Sequence, residues 1–353
     1  MAVLSSTKID PAQLKDYDLT YVYEQNPGIQ RVKRGRGFSF LSPDGTTIKD
    51  KSERERLLAI AVPPTYDKVW YCPIYNGHLQ ATGFDASAKK QYFYHPAWEL
   101  LRETSKFSYM ERFGEKLPAF RRRINRTLND ADNEKEELLS AMSRILDKTG
   151  MRTGNESASQ TNKTYGLTTL RKKHVDHDDA ALHFEYKGKG GNELEKDLRD
   201  PKVVNIIDHC AEIPGQRLFQ YLDSKGEKHS VDSSDMNIFL KDSMGEDFSA
   251  KDFRTWRFSC LFLEEALRLA SKGAGVTLKS VLGRVSETSG NTPSILKSSY
   301  VHPGLIQIVK DQNWDLLKND KDQLSGLRKS ENRLLNYLKT KHASDAFALD
   351  TGD

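Results

Sequence analysis

The sequence of 353 residues reads as an α+β protein. A small, mostly antiparallel β-sheet forms an N-terminal domain over residues 1–97, and a larger, mainly α-helical domain over residues 98–353 carries a short β-sheet and hairpin of its own. Three observations lead there. The length exceeds the usual span of one hydrophobic core, so two domains are the natural division. From about Gly37 to Tyr94 the chain is cut into short runs rich in aromatic and β-branched residues. After His95 and Pro96 the apolar residues change to helical spacing.

The strand-like runs are GFSFL, KVWYC, HLQAT and KKQYFY, separated by Pro, Gly, Asp and Asn. That composition and punctuation suit a pleated, half-buried sheet. From Trp98 onward Leu117, Phe120, Ile124 and Leu128 line one helical face, and Leu138, Met142, Ile145 and Leu146 line another. Asn133, with Glu136 three residues on, reads as a capping box for the second helix. Residues 164–190 revert to short strands, and His183 to Lys187 leads into a glycine-rich tip that carries Lys189. Helical patterning returns in VVNIIDHC, from Thr255 to Ser271, from Val276 to Ser286 and from Gln323 to Tyr337. Thr292 and Pro293 read as an N-cap and first-turn proline, which places Tyr300 near the end of a short helix. The last ten residues, small and acidic, are expected to fray.

Composition narrows the function classes. A net charge of +4 and a pI near 8.7 permit nucleic-acid binding without requiring it. Basic residues gather at Arg31, Lys33, Arg34 and Arg36, at Arg121, Arg122, Arg123 and Arg126, and at Arg171, Lys172 and Lys173. Each cluster is either a nucleic-acid contact or a solvated face. Three widely spaced cysteines, Cys72, Cys210 and Cys260, suit a reduced intracellular protein. No signal-peptide pattern and no apolar run of about 20 residues is present, so a soluble protein with no membrane association is expected. His174, His177, Asp178, Asp179 and His183 are ligand-competent, yet they lack the spacing of zinc sites, and in a strand His174 and His177 point oppositely. No metal and no cofactor is therefore expected. SILK at 294–297 matches the SxxK pattern of serine acyl-transfer enzymes without its companion motifs.

The most specific signal is a set of short stretches in a fixed order: Arg152 in MRTGNE, just before TYGLTTLRKKHV, Lys189 in YKGKGG, Arg254 in KDFRTW, and then GNTPSILKSSYVHP, in which Asn291 stands nine residues before Tyr300. Together they resemble the type IB DNA topoisomerases, over about Asn26 to Val309, in the shorter bacterial and poxvirus-like branch. The resemblance implies that the two domains form a clamp around double-stranded DNA, that the protein acts as a monomer, and that it works in the cytoplasm, with the nucleoid if bacterial. It implies Tyr300 as the nucleophile on a phosphodiester, giving a 3′-phosphotyrosyl link and a free 5′-hydroxyl. A phenol has a free pKa of about 10, so forming its anion at pH 7 costs about 4 kcal/mol and needs help.

Arg152 and Arg254 are the implied transition-state clamps, Lys189 the implied general acid to the leaving oxygen, and Asn291 a hydrogen-bond donor where the poxvirus-like branch carries histidine. Because one ester replaces another, resealing needs no ATP, and no GxxxxGK[ST] loop is present. The stretch GFDASAKKQYFYHP at 83–96 resembles the family's major-groove element, with Gln91, Tyr92 and Tyr94 as base readers and Lys89 and Lys90 facing phosphates; Tyr92 and Tyr94 share a strand face and can equally be core residues. Lys251 is a further DNA-contact candidate. It also separates the family from the tyrosine recombinases, which carry an HxxR box with histidine at that position and usually a helical N-terminal domain. A recombinase and a non-catalytic DNA-binding protein are the two alternatives.

Overall fold

The computed structural model describes residues 11–35, 37–86, 88, 90–246, 248–273, 275–317 and 323–340. The expected fraying at the C-terminus, together with Arg36 and Lys89, lies outside them. The chain divides into two compact units, Met1–Ser108 and Tyr109–Asp353.

The first unit runs α1 (Pro11–Asp16), β1 (Ile29–Arg34), β2 (Gly37–Leu41), α2 (Lys51–Ala59), β3 (Asp67–Tyr71), β4 (Leu79–Phe84), β5 (Lys90–Tyr94) and α3 (Pro96–Ser108). Its five strands form one antiparallel sheet in the order β2-β1-β3-β4-β5. Ile29, Phe40, Leu57, Val62, Val69, Tyr71 and Ala81 make its main core. The four strands expected from the sequence are present. β1 and α2 were not anticipated, because IQRVKR and KSERERLLA bury only Ile29 and Leu57 fully and carry almost no apolar signal. Helix α3 belongs with this unit: Trp98 and Leu101 pack with Leu14 and Leu19 in a second small core. The first unit runs to Ser108 and so includes α3.

The second unit contains α4 (Met110–Thr127), α5 (Glu134–Thr149), α6 (Glu156–Thr161), β6 (Val175–His177), β7 (Ala181–Lys187), β8 (Glu193–Arg199), α7 (Pro201–Glu212), β9 (Gln220–Leu222), β10 (Lys228–Ser230), α8 (Ser233–Met244), α9 (Ala250–Ser271), α10 (Leu278–Ser289), α11 (Pro293–Ser299), α12 (Pro303–Asp311) and α13 (Lys329–Leu338). The apolar stripes read for α4 and α5 are buried along their length. Asn133 caps α5, its side chain accepting the Glu136 amide at 2.9 Å. Phe113 and Phe120 of α4 meet Phe253 and Trp256 of α9 in an aromatic layer at the centre of the unit.

Strands β6, β7 and β8 form an antiparallel sheet in sequence order. The segment 164–174, expected as strand, is instead two short 3-10 turns at Leu167–Thr169 and Lys172–His174. The Thr169 hydroxyl bonds the Gly166 backbone there, offering the chain a local alternative to a ladder. Among the described residues no helix is long and apolar enough to cross a membrane.

Candidate active site

Four elements of the second unit deliver the side chains singled out by the sequence. Helix α5 ends on Gly150, which is left-handed at φ 67°, and the chain turns so that Arg152 follows immediately. The backbone of Arg152 and Thr153 is then gripped by the 3-10 turn, through the amides of Leu167 (2.7 Å) and Thr168 (2.6 Å). Arg254 lies in the second turn of α9, almost wholly buried at 6% exposure. Asn291 follows Gly290, the left-handed residue that stops α10. Thr292 caps α11, accepting the Ile295 amide at 3.3 Å, and Tyr300 is the C-terminal cap of that helix.

These residues meet. Arg254 Nε donates to the Tyr300 hydroxyl at 3.1 Å, and its guanidinium carbon lies 4.8 Å from the centre of the Tyr300 ring. The Asn291 amide oxygen accepts from Arg254 at 3.2 Å and from Arg152 at 2.9 Å. A third Arg254 nitrogen donates to the Gly150 carbonyl. Two guanidinium groups thus share one neutral oxygen, and among the described residues neither has a carboxylate within ion-pair distance. Three of the five N–H groups of Arg254 are engaged, which leaves two for an anion. The cation pair is uncompensated and half enclosed, a combination that favours binding a tetrahedral oxyanion.

The electrostatics act on the phenol. Burial alone pushes the Tyr300 hydroxyl up; the charge and hydrogen bond of Arg254, with Arg152 behind it, outweigh burial and hold it below its ordinary value. Arg254 in turn is lowered, first by burial and also by Arg152, while Tyr300 works in the opposite sense. The site therefore eases formation of the phenolate that free tyrosine resists.

Asn291 is oriented differently from the expectation of a donor aimed at phosphate. Its oxygen faces the arginines, and its amide nitrogen donates to the Ser289 carbonyl at 3.3 Å. One contributor was missed by sequence reading. The Ser259 hydroxyl on α9, fully buried, donates to the Tyr300 carbonyl at 2.9 Å and accepts the His302 amide at 3.1 Å, pinning the backbone on both sides of the tyrosine. Phe258 packs edge-on against the Tyr300 ring at 5.2 Å.

Lys189 sits on the tight tip between β7 and β8, closed by the Gly188 amide on the Asn192 carbonyl (2.8 Å), and its side chain is exposed. It lines one cleft with Arg152, Arg254, Tyr186 and Lys196. Burial raises Tyr186 to about 12. Burial, with the charges of Arg257 and Arg254, lowers Lys196 to about 8.

Sequence comparison identifies the family. The family model described as the catalytic core of eukaryotic DNA topoisomerase I matches residues 90–313, more than half of the chain, and the N-terminal domain of bacterial DNA topoisomerase IB matches residues 37–85. The chain belongs to the type IB DNA topoisomerases. DNA topoisomerase 1B of Acanthamoeba polyphaga mimivirus is 28% identical over 86% of this chain and 90% of its own length, and that of Vaccinia virus (strain Copenhagen) is 23% identical over 78% and 87%. A solved structure of the XerH site-specific recombinase on its difH substrate overlays on 53% of this chain and 49% of its own with a TM-score of 0.32 and 14% identity, too slight a likeness to bear on fold or function.

In this topoisomerase the other sequence candidates divide. Lys90 pairs with Glu24 at 2.7 Å and lies near the Phe84 and Tyr92 rings. Gln91 donates to Asp85 at 2.7 Å. Tyr92 and Tyr94 stack on one strand face, 6.3 Å apart; Tyr92 is 48% exposed, whereas Tyr94 packs on the Trp98 core. Lys251 is exposed at the start of α9. Lys89 lies outside the described residues.

Several clustered basic residues serve the fold. Arg31 donates to the carbonyls of Val62, Pro63 and Tyr66, Arg121 pairs with Asp147 and Glu331, and Lys172 binds the Ala211 and Ile213 carbonyls. The histidine-rich segment disperses. His174 accepts the Arg171 amide, His177 pairs with Asp208 at 3.0 Å, and His183 with Asp197 at 2.6 Å.

Proposed function

We propose that this topoisomerase relaxes supercoiled duplex DNA by transient cleavage of one strand through Tyr300. The phenolic oxygen, its proton lost to solvent, attacks the phosphorus; the new P–O bond forms as the bond to the 5′-oxygen breaks, leaving a 3′-phosphotyrosyl link. Negative charge grows on the non-bridging oxygens in the five-coordinate state. Fixed guanidinium donors at Arg152 and Arg254 stabilise that state more than the ground state, which lowers the barrier. Lys189 transfers a proton to the departing 5′-oxygen, which would otherwise leave as a strongly basic alkoxide. The reverse sequence reseals the strand without ATP, after the free end has rotated.

The observation that carries this reading is the Tyr300 hydroxyl lying 3.1 Å from Arg254, inside a cation pair that has no carboxylate partner among the described residues. Asn291 holds the two arginines in register by accepting from both. The cleft beside the site is lined by Lys163, Arg171, Lys173 and Lys187 as well as Glu185 and Glu193, and its basic excess suits the DNA backbone. The exposed Tyr92, with Lys90 and Gln91 beside it, is the candidate groove-reading surface of the N-terminal unit, and Lys251 a further backbone contact. On this reading the protein acts as a monomer on the duplex.

The test is relaxation of supercoiled plasmid in EDTA without ATP, followed by detergent trapping. Wild-type protein is expected to relax the plasmid and to be trapped on a 3′ end. Tyr300→Phe should bind DNA and do neither; relaxation by that variant would end the assignment. Exchange between paired sites, without relaxation, would point to a recombinase.

A further inference from the structure

On β8 the side chains of Leu194, Lys196 and Leu198 turn inward, while Glu193, Glu195, Asp197 and Arg199 are exposed. A half-buried lysine near Arg254 and Arg257 costs free energy unless its ammonium is hydrogen-bonded. Its ammonium donates to the Thr288 carbonyl at 2.7 Å. Thr288 belongs to the last turn of α10, whose carbonyls lack helical partners and favour a cationic donor. Two residues later Gly290 ends the helix at φ 70°, and Asn291 follows.

Leu194, on the same face, packs against both glycines that border the site. A Cβ on Gly188 would lie 2.4 Å from Leu194 Cδ1, and one on Gly290 would lie 2.3 Å from Cδ2. Neither position has room for a side chain. The tip that carries Lys189 and the turn that carries Asn291 are thus joined by one packed leucine and one charged hydrogen bond. Lys196 also borders the cleft shared by Lys189, Arg152 and Arg254.

We propose that Lys196 is a positioning residue for leaving-group protonation: its bond to Thr288 sets the Lys189 tip against the Asn291, Arg254 and Tyr300 cradle, so that the Lys189 ammonium reaches the departing oxygen. The inference rests on the roles given above to Tyr300 and Lys189. Without the bond, the tip keeps its own turn, closed by the Gly188 amide on the Asn192 carbonyl, but loses one of its two ties to the Asn291 turn, and proton delivery slows while the arginines and the nucleophile stay in place.

The test measures single-turnover cleavage of two duplexes, one with the natural bridging 5′-oxygen and one with sulfur at that position. A thiolate, whose conjugate acid has a pKa of about 8.5, leaves without a donated proton. Lys196→Met is expected to slow the oxygen ester about 10- to 100-fold, a part of what general acid catalysis contributes, and to leave the sulfur ester close to the parent rate. Lys196→Arg, which keeps a cationic donor, should recover most of the loss. Equal slowing on both substrates, or no slowing on either, overturns the proposal. Two controls separate its failure from that of the function: Tyr300→Phe must cleave neither substrate, and Lys189→Ala must be rescued by sulfur. Cleavage by the first, or no rescue of the second, refutes the roles beneath and this inference with them.

Discussion

A single neutral oxygen, that of Asn291, holds two arginine side chains side by side. Its neutrality matters: it orders the guanidinium groups without cancelling the charge that a phosphate must find. Asn291→Asp tests this directly, since the replacement has the same shape and adds a carboxylate between the cations. The variant is expected to unfold at no lower urea concentration than the parent, while plasmid relaxation falls about 100-fold, comparable to losing one transition-state donor. Undiminished relaxation would show that the charge of the pair is not what the reaction uses. Sequence alone supported Asn291 as a hydrogen-bonding residue. Which end of the amide meets the arginines depends on the Ser289 carbonyl that takes its nitrogen, a contact that composition does not reveal.

At the scale of elements, α9 organises the site. Arg254, Phe258 and Ser259 reach the side chain, ring and backbone of Tyr300 from successive turns of one helix. Its packing partners are tied by a second charged cluster, in which Arg121 of α4 forms paired bonds to Asp147 of α5 and to Glu331 of α13. Glu331 is 3% exposed and Asp147 7%, so removing the arginine strands two buried carboxylates. Arg121→Met is expected to destabilise the second unit by about 3–5 kcal/mol, read as a lower urea midpoint. A change below about 1 kcal/mol, the range of exposed pairs, would mean that the cluster is well solvated. The apolar stripe of α4 was readable because it repeats at helical spacing. The role of Arg121 was not, because Glu331 lies 210 residues away and RRR reads equally as a nucleic-acid patch.

Across the whole molecule two bulk properties follow. DNA affinity should fall steeply with salt, by about 1,000-fold between 50 and 200 mM if six phosphates are contacted, as titration of a labelled duplex would show; a flat response would contradict a basic DNA-binding surface. Stability should fall on acidification. His78, His174 and His302 are buried, and each presents Nδ1 as acceptor to a backbone amide at 3.1 Å, a bond that only the neutral ring can make. Burial lowers them to about 4, about 4 and about 3, with Lys173 and Arg171 adding to the effect at His174.

The unfolded chain takes up these protons near pH 6.5 and the folded chain does not, so stability present above that pH is lost as pH falls toward 3 to 4. At pH 5 the loss is expected to be visible as a lower urea midpoint than at pH 7.5. An unchanged midpoint would mean that the rings protonate in the folded state.

The strands from Gly37 to Tyr94, the stripes of α4 and α5, and Tyr300 at the end of a capped helix were legible in the sequence, because period, turn chemistry and caps are local. So was the family, because its motifs are short and ordered. β1, α2 and α8 were silent, since their residues are mostly polar and depend on neighbours to be held. Only the tertiary structure brought Ser259 to Tyr300 and Lys196 to Thr288, across separations of 41 and 92 residues. Local preference acts over a few bonds along the chain, whereas a catalytic distance is set by packing between elements that are remote in sequence.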